Sequence, residues 1–234
     1  MPIIRSETIQ KWWPTTQSLD LVEGSVKTVA AAVREEVSSF ASGEPITPSW
    51  ETFPNLGAAF QVASEFTNAP TVFLVLPTRS RWSVLWNNSF LFSGHDSLCN
   101  DLTQNHGLTT VHWSAHDDRT SLQSGASFRH RQIVGGKVSE RSVQVAQQDE
   151  RWHFFASGKT LPEEDLEAYE LRRKQDRLNE EKMAGFLSRL GASPWLEEFY
   201  AVPGTPAFVL HRNKPPSTIV RRSLTDSFQQ RRTW

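Results

Sequence analysis

The stretch TVFLVLP, residues 71–77, is apolar apart from its first residue and rich in β-branched and aromatic side chains. A short continuous run of this kind predicts a buried strand. Three residues later, RWSVLWNN, residues 81–88, alternates Trp82, Val84 and Trp86 with Ser83, Leu85 and Asn87. Alternation with period two predicts a second strand, and the short TRS connection, 78–80, makes the two a hairpin. Everything else in the chain has to be arranged around this pair.

On the N-terminal side, TTQSLDLV, 15–22, alternates weakly and predicts a short strand. Ser25 is placed to cap a helix over about 26–42, with Val26, Val29, Val33, Val37 and Phe40 on one face and Gly43 at its end. EPITPSWETFPN, 44–55, carries three prolines and reads as an irregular connection, while 56–66 fits either a short helix or a strand. After the hairpin, 94–107 reads as a helix that starts near Asp96 or Ser97 and stops at Gly107; TTVHWSA then reads as a strand. The order over 15–115 is strand, helix, strand, strand, helix, strand, the split βαβ pattern (βαββαβ) of a ferredoxin-like α+β sandwich.

The rest predicts an extension of that sheet. GASFRHRQIV and KVSERSVQVA flank Gly135-Gly136 as a second hairpin, and RWHFFASG, 151–158, adds a strand, giving a β extension over 125–158. From Pro162 the sequence becomes charged: 163–191 reads as one long helix and SPWLEEFY as a short one, capped by Ser193 with Pro194 in its first turn, so that 162–200 forms a helical part. AFVLHR, 207–212, reads as a final strand. The expectation is a single α+β domain over 1–212 and a flexible basic tail over 213–234, where Lys214, Arg221, Arg222, Arg231 and Arg232 face Asp226 alone.

Composition removes several function classes. A formal net charge of −1 gives no overall field for nucleic acid or for a membrane surface. No stretch approaches the roughly 20 apolar residues of a membrane span, and the N-terminus has no apolar signal-peptide core. The one cysteine, Cys99, forms no intrachain disulfide, which points to a reducing compartment, the cytoplasm. Phosphate-binding GxxxxGK[ST] and GxGxxG loops, the GxSxG elbow and HExxH are absent, so no cofactor is expected. Trp82 and Trp86 share a strand face on which bases could stack, but an RNP1 string is missing and core burial is the expected role of both.

The strongest chemical suggestion is GLTTVHWSAHDD, 107–118, with His112 and His116 four apart and Asp117 and Asp118 next. Two metal-ligating histidines at that spacing need a helix. This sequence is β-rich, and on a strand four residues span about 13 Å, far beyond what metal–nitrogen bonds of about 2 Å can bridge. No metal site is expected. The strand instead buries Val111, Trp113 and Ala115 and turns His112, Ser114 and His116 to its other face, while Asp117 and Asp118 end it in a turn. One of these histidines with an aspartate elsewhere in the fold could still do acid–base work. Cys99 has His95 four residues before it on the same predicted helix face, but Leu98, Cys99 and Leu102 form an apolar stripe, so Cys99 reads as a small buried hydrophobe.

Residues 141–192 resemble a pattern in uncharacterised bacterial proteins. There, a strand pair with a W-x-F core leads through a Gly and LP-x-E into an RR-x-x-DR helix. Trp152, Phe154, Gly158, Leu161, Pro162, Glu164, Arg172, Arg173, Asp176 and Arg177 match it. Some such proteins look like immunity partners of polymorphic or secreted toxins. The resemblance implies a non-enzymatic cytoplasmic binding protein that blocks the active site or substrate access of a cognate protein toxin, with no catalytic residue carried over. His112, Ser114, His116, Asp117 and Asp118 are the expected partner-binding residues. Two other expectations stand beside it: a small-ligand-binding protein or enzyme using the sheet face around His112 and His116, and a nucleic-acid-associated protein acting through the basic tail.

Overall fold

A computed structural model describes residues 5–12, 18–41, 43–89, 95–116, 125–213 and 218–223. After a short helix α1 (Glu7–Lys11) come strand β1 (Ser18–Glu23), helix α2 (Val26–Phe40), strand β2 (Ile46–Glu51), helix α3 (Leu56–Gln61), the two-residue strand β3 (Phe66–Thr67), and strands β4 (Val72–Pro77) and β5 (Trp82–Asn87). Helix α4 (His95–His106) leads into β6 (Thr110–His116), β7 (Gly125–Val134), β8 (Lys137–Gln148) and β9 (Arg151–Ser157). Short helix α5 (Leu166–Tyr169), helix α6 (Glu180–Arg189), strand β10 (Ala207–Arg212) and the two-residue β11 (Arg221–Arg222) complete the order.

Among the described residues, nine strands form one sheet in the order β2-β10-β4-β5-β1-β6-β7-β8-β9, every neighbouring pair antiparallel. The protein is α+β. The hairpin that dominates the sequence, β4–β5, lies inside the sheet with every residue of both strands buried. It is covered on both faces, which explains why 71–77 has no polar side. One face packs Leu74, Leu76, Trp82, Val84 and Trp86 with Leu19, Leu21, Val111 and Trp113 against α1, α3 and α6, through Ile9, Phe60, Met183 and Phe186. The other packs Val22, Phe73, Val75 and Leu85 against Val29, Val33 and Val37 of α2 and Leu98 and Leu102 of α4. Each fully buried large apolar side chain contributes about 1.5–3 kcal/mol relative to exposure. Both tryptophans of β5 belong to the core and offer no stacking platform.

Local chemistry sets the helix starts. Ser25 Oγ accepts from the Thr28 N–H at 3.2 Å, Asn55 caps α3 through Ala58 N–H at 2.8 Å and Asn179 caps α6 through Lys182 N–H at 3.0 Å. The Asn179 cap corrects the expectation of one helix over 163–191. That segment is α5, a 3-10 turn at Lys174–Asp176, and α6. Arg177 interrupts it: its Nε donates to Leu171 O at 2.8 Å and its guanidinium lies over the Phe154 ring at 5.2 Å, so the chain folds back onto β9.

Three further expectations change. Residues 46–51 within the proline-rich connection form β2, a sheet edge, where Pro48 removes no ladder bond the sheet needs. The short helix expected from Ser193 shrinks to a 3-10 turn at Glu197–Phe199, and the Tyr200 hydroxyl donates to Pro194 O at 3.1 Å. Residues 56–66 resolve into α3 followed by the first residue of β3. Part of the segment read as a flexible tail is built into the fold: β11 pairs with β3, and Asn68 accepts the Val220 N–H at 2.9 Å. No helix among the described residues is long and apolar enough to cross a membrane.

Candidate functional site

Period-two alternation sends Leu19 and Leu21 of β1 to one face and Ser18, Asp20 and Val22 to the other, under α2 and α4. On β6 the same rule turns Thr110, His112 and Ser114 to that second face, opposite Val111, Trp113 and Ala115. Register then builds polar rows across the sheet. Asp20 pairs with His112 and His112 with Arg129; Ser18 pairs with Ser114 and Ser114 with Ser127.

Asp20 is completely buried, and its two carboxylate oxygens are taken by two histidines. Oδ1 lies 2.7 Å from Nδ1 of His112, and Oδ2 lies 2.5 Å from Nδ1 of His95, the first residue of α4. Burial pushes the Asp20 carboxyl up, but the charges and hydrogen bonds of His95 and His112 more than reverse this and hold it well below the usual carboxylate range. An ionised carboxylate only accepts, so both histidines donate through Nδ1, and a neutral ring fixed this way carries its lone pair on Nε2. His95 is 1% exposed and His112 is 16% exposed, so only His112 reaches an accessible surface.

Around this pair the side chains divide into holders and open groups. Asp96, in the first turn of α4, receives Arg129 and Arg131; Arg131 also reaches Glu140 at 2.7 Å. A carboxylate there also suits the positive end of the helix dipole, so this cluster pins the start of α4 onto β7. Glu36 of α2 ties down the other end, accepting from Asn105 and from His106 Nε2 at 2.9 and 2.8 Å. The Ser114 and Ser127 hydroxyls meet at 2.8 Å. The Ser18 hydroxyl is buried and has no hydrogen-bond partner among the described residues. Cys99 is fully buried; burial, and next the Asp20 charge, push its thiol well up, so it is an unreactive core group as the apolar stripe predicts.

Of the residues expected to bind a partner, His112 and Ser114 share this face with Ser127. His116 continues β6 and pairs in register with Gly125; Asp117 and Asp118 lie outside the described residues. No group of three or more metal-ligating side chains is assembled among the described residues. The aspartate that joins His112 is Asp20, and the sequence signal for it was there: Asp is depleted in strands, yet it sits within the apolar SLDLV. His95 and Ser18 had no comparable signal.

Beyond α4 the same face opens. Ser127, Arg129 and Ser142 are half-buried, Gln144 is exposed, and on the edge strand Phe155 is 57% exposed with its ring stacked on His153, centroids 6.0 Å apart and 11° from parallel. The opposite face of these strands is closed by Phe128 stacked on Phe186 and by Phe154 against Tyr169.

The residues of the W-x-F, LP-x-E and RR-x-x-DR segments sit mainly in the architecture behind this face. Glu164 accepts from Arg141, from Leu161 N–H and from the Tyr169 hydroxyl, while Gly158 allows the chain to pass over Glu140. Comparisons with protein-family models, with curated proteins and with solved structures gave no match.

Proposed function

We propose that this chain is a cytoplasmic immunity protein that binds a cognate protein toxin and blocks its active site or access to its substrate, without catalysis of its own. The observation that carries the reading is the open face of β6–β9. It combines small half-buried side chains, Ser114, Ser127 and Ser142, with an exposed aromatic, Phe155, on a rigid antiparallel sheet. Aromatic anchors beside small, well-packed polar neighbours suit protein recognition, and inhibition by shape needs no catalytic residue. The resemblance of residues 141–192 to immunity partners supports the same reading, because that segment builds the far side of this face.

We also read the adjacent strands β4-β5-β1-β6 as a ferredoxin-like unit. What supports this is their order and the packing of both α2 and α4 on one face. β7–β9 would then be the added element that carries the binding face.

The test is co-expression with the product of the adjacent reading frame. A stable complex and rescue of growth support the reading; a toxic neighbour that is neither bound nor neutralised overturns it.

A further inference from the structure

The nine-stranded sheet ends in two edge strands, β2 and β9, and an edge leaves a row of backbone N–H and C=O groups open to another strand. β2 is guarded, because Pro48 near its middle has no N–H to give. β9, RWHFFAS, carries no proline, and its only fixed charge is Arg151 at the start. Phe155, Ala156 and Ser157 are exposed, and β8 is the one ladder partner of β9 among the described residues. At Gly158 the chain turns over Glu140 of β8 rather than back along the open side.

The turns fix which groups are open. Gly135-Gly136 and Asp149-Glu150 are two-residue turns with positive φ at both positions, 58° and 76° in the first, 50° and 61° in the second. The residues flanking such a turn exchange both backbone hydrogen bonds, and the ladder alternates from there. Val134 and Lys137 flank the first turn, Gln148 and Arg151 the second. Both turns give the same answer: the even-numbered residues of β8 face β9, and Arg151, His153, Phe155 and Ser157 answer them. The Ser157 carbonyl, accepting from Arg141 Nη1 at 3.1 Å, points to β8 as this requires. The N–H and C=O groups of Trp152, Phe154 and Ala156 therefore point outward.

We propose that β9 pairs antiparallel with β9 of a second copy of this chain, centred on Phe154, and joins the two sheets into one. The edge is complementary to itself. In this register Phe154 faces its own copy and Trp152 faces Ala156 of the second copy, so every outward N–H meets an outward C=O; a slip of one residue would set outward groups against inward ones. His153 comes opposite Phe155 of the second copy in a non-hydrogen-bonded pair, where side chains are closest, and extends the stack that His153 and Phe155 already form within one chain. The ends match in charge. Asp149 and Glu150 precede the strand and Lys159 follows it, so antiparallel pairing brings the acidic turn of each copy to the lysine end of the other. The two-fold axis stands normal to the sheet, which leaves the open faces of both copies on one side. The pairing does not rest on the toxin-binding reading.

The experiment is sedimentation of the intact chain from low micromolar to millimolar concentration, with amide hydrogen exchange at both ends of that range. The mass should pass from monomer to dimer. The Trp152, Phe154 and Ala156 amides should exchange about tenfold slower or more in the dimer, while the His153, Phe155 and Ser157 amides, bonded to β8, stay protected throughout. Ala156→Pro removes one outward N–H from each copy without touching a bond to β8, and should raise the dimer Kd about tenfold or more. Should that variant not fold, exchange in the unaltered chain decides alone. A chain that stays monomeric, or a dimer whose outward amides exchange as fast as in the monomer, would overturn the proposal. Protection that arises only when the toxin is added would give the edge to the toxin and overturn self-pairing as well. Because the measurement on the chain alone needs no toxin, its failure is distinct from a failure of neutralisation.

Discussion

Arg141 and Glu164, 23 residues apart, meet as a buried ion pair: Arg141 Nη2 lies 2.7 Å and Nε 3.1 Å from Oε2, and Nε also lies 2.9 Å from Oε1. The remaining capacity of both groups is used. Arg141 Nη1 donates to the carbonyls of Ser157 and Gly158, and Glu164 accepts from Leu161 N–H at 2.6 Å and from the Tyr169 hydroxyl at 3.0 Å. One pair thus joins β8, the end of β9 and the approach to α5.

Removing one partner leaves the other charged and buried. Arg141→Met or Glu164→Leu alone should destabilise the fold by about 3–5 kcal/mol, and the double variant should be closer to wild type than either single one. Urea unfolding of the four proteins checks this. Additive losses would show that the pair itself is not coupled.

Asp20 predicts an acid-sensitive term. Its carboxyl is held well below the usual carboxylate range in the folded state, with burial opposing and the two histidines prevailing. A carboxylate with a depressed folded value contributes stability that is fully present above its unfolded value, about 4, and lost as pH falls through the folded one. Asp20→Asn should cost about 2–4 kcal/mol at neutral pH, the range of one or two charge-assisted hydrogen bonds. Its gap to wild type should narrow from about pH 5 down to about pH 2. Denaturant titrations of both proteins across that range measure the gap; a constant gap would remove Asp20 as the origin.

The sheet was largely legible because its pattern is local. Alternation in 81–88, the Gly135-Gly136 turn and the Val29, Val33 and Val37 stripe each act within a few residues, and each appears in the fold. The faces of β6 were legible for the same reason: Trp113 is buried in the core, and His112 turns the other way to Asp20. What periodicity could not show was long-range. Asp20 meets His95 and His112 at separations of 75 and 92 residues, and nothing local to SLDLV says which side chains will satisfy a buried carboxylate. The segment 163–191 failed for a related reason, since its apolar residues follow helical spacing while Arg177 finds better partners in Leu171 and Phe154 than a continuous helix gives it.

Gly158 links β9 to the Glu164 turn with φ +82°, and a Cβ built there would fall inside the contact distance of the Glu140 carbonyl oxygen. Strain and overlap act together, and backbone has little room to yield. Gly158→Ala should cost about 3 kcal/mol or more, in the upper tail of point substitutions. Gly136→Ala, at φ +76° in the β7–β8 turn with open space around it, should cost only about 1–2 kcal/mol, the left-handed penalty alone. Thermal unfolding of the two variants checks the difference; similar losses would mean that the approach to Glu140 is not tight.

Phe155 tests the proposed binding face directly. It is 57% exposed on an edge strand, while its neighbour Phe154 packs against Tyr169 on the inner side. Phe155→Glu should leave the urea midpoint within about 0.5 kcal/mol of wild type, as exposed substitutions do. Should the open face be the toxin-binding surface, the same change should raise the Kd for the toxin at least tenfold, because a charge replaces an aromatic anchor at the contact. Phe154→Glu provides the contrast, since it should unfold the β9–α5 packing and lower stability itself. Calorimetric titration of toxin into the Phe155 variant measures the effect. An unchanged Kd in a folded Phe155→Glu protein would move the interface away from the outer strands.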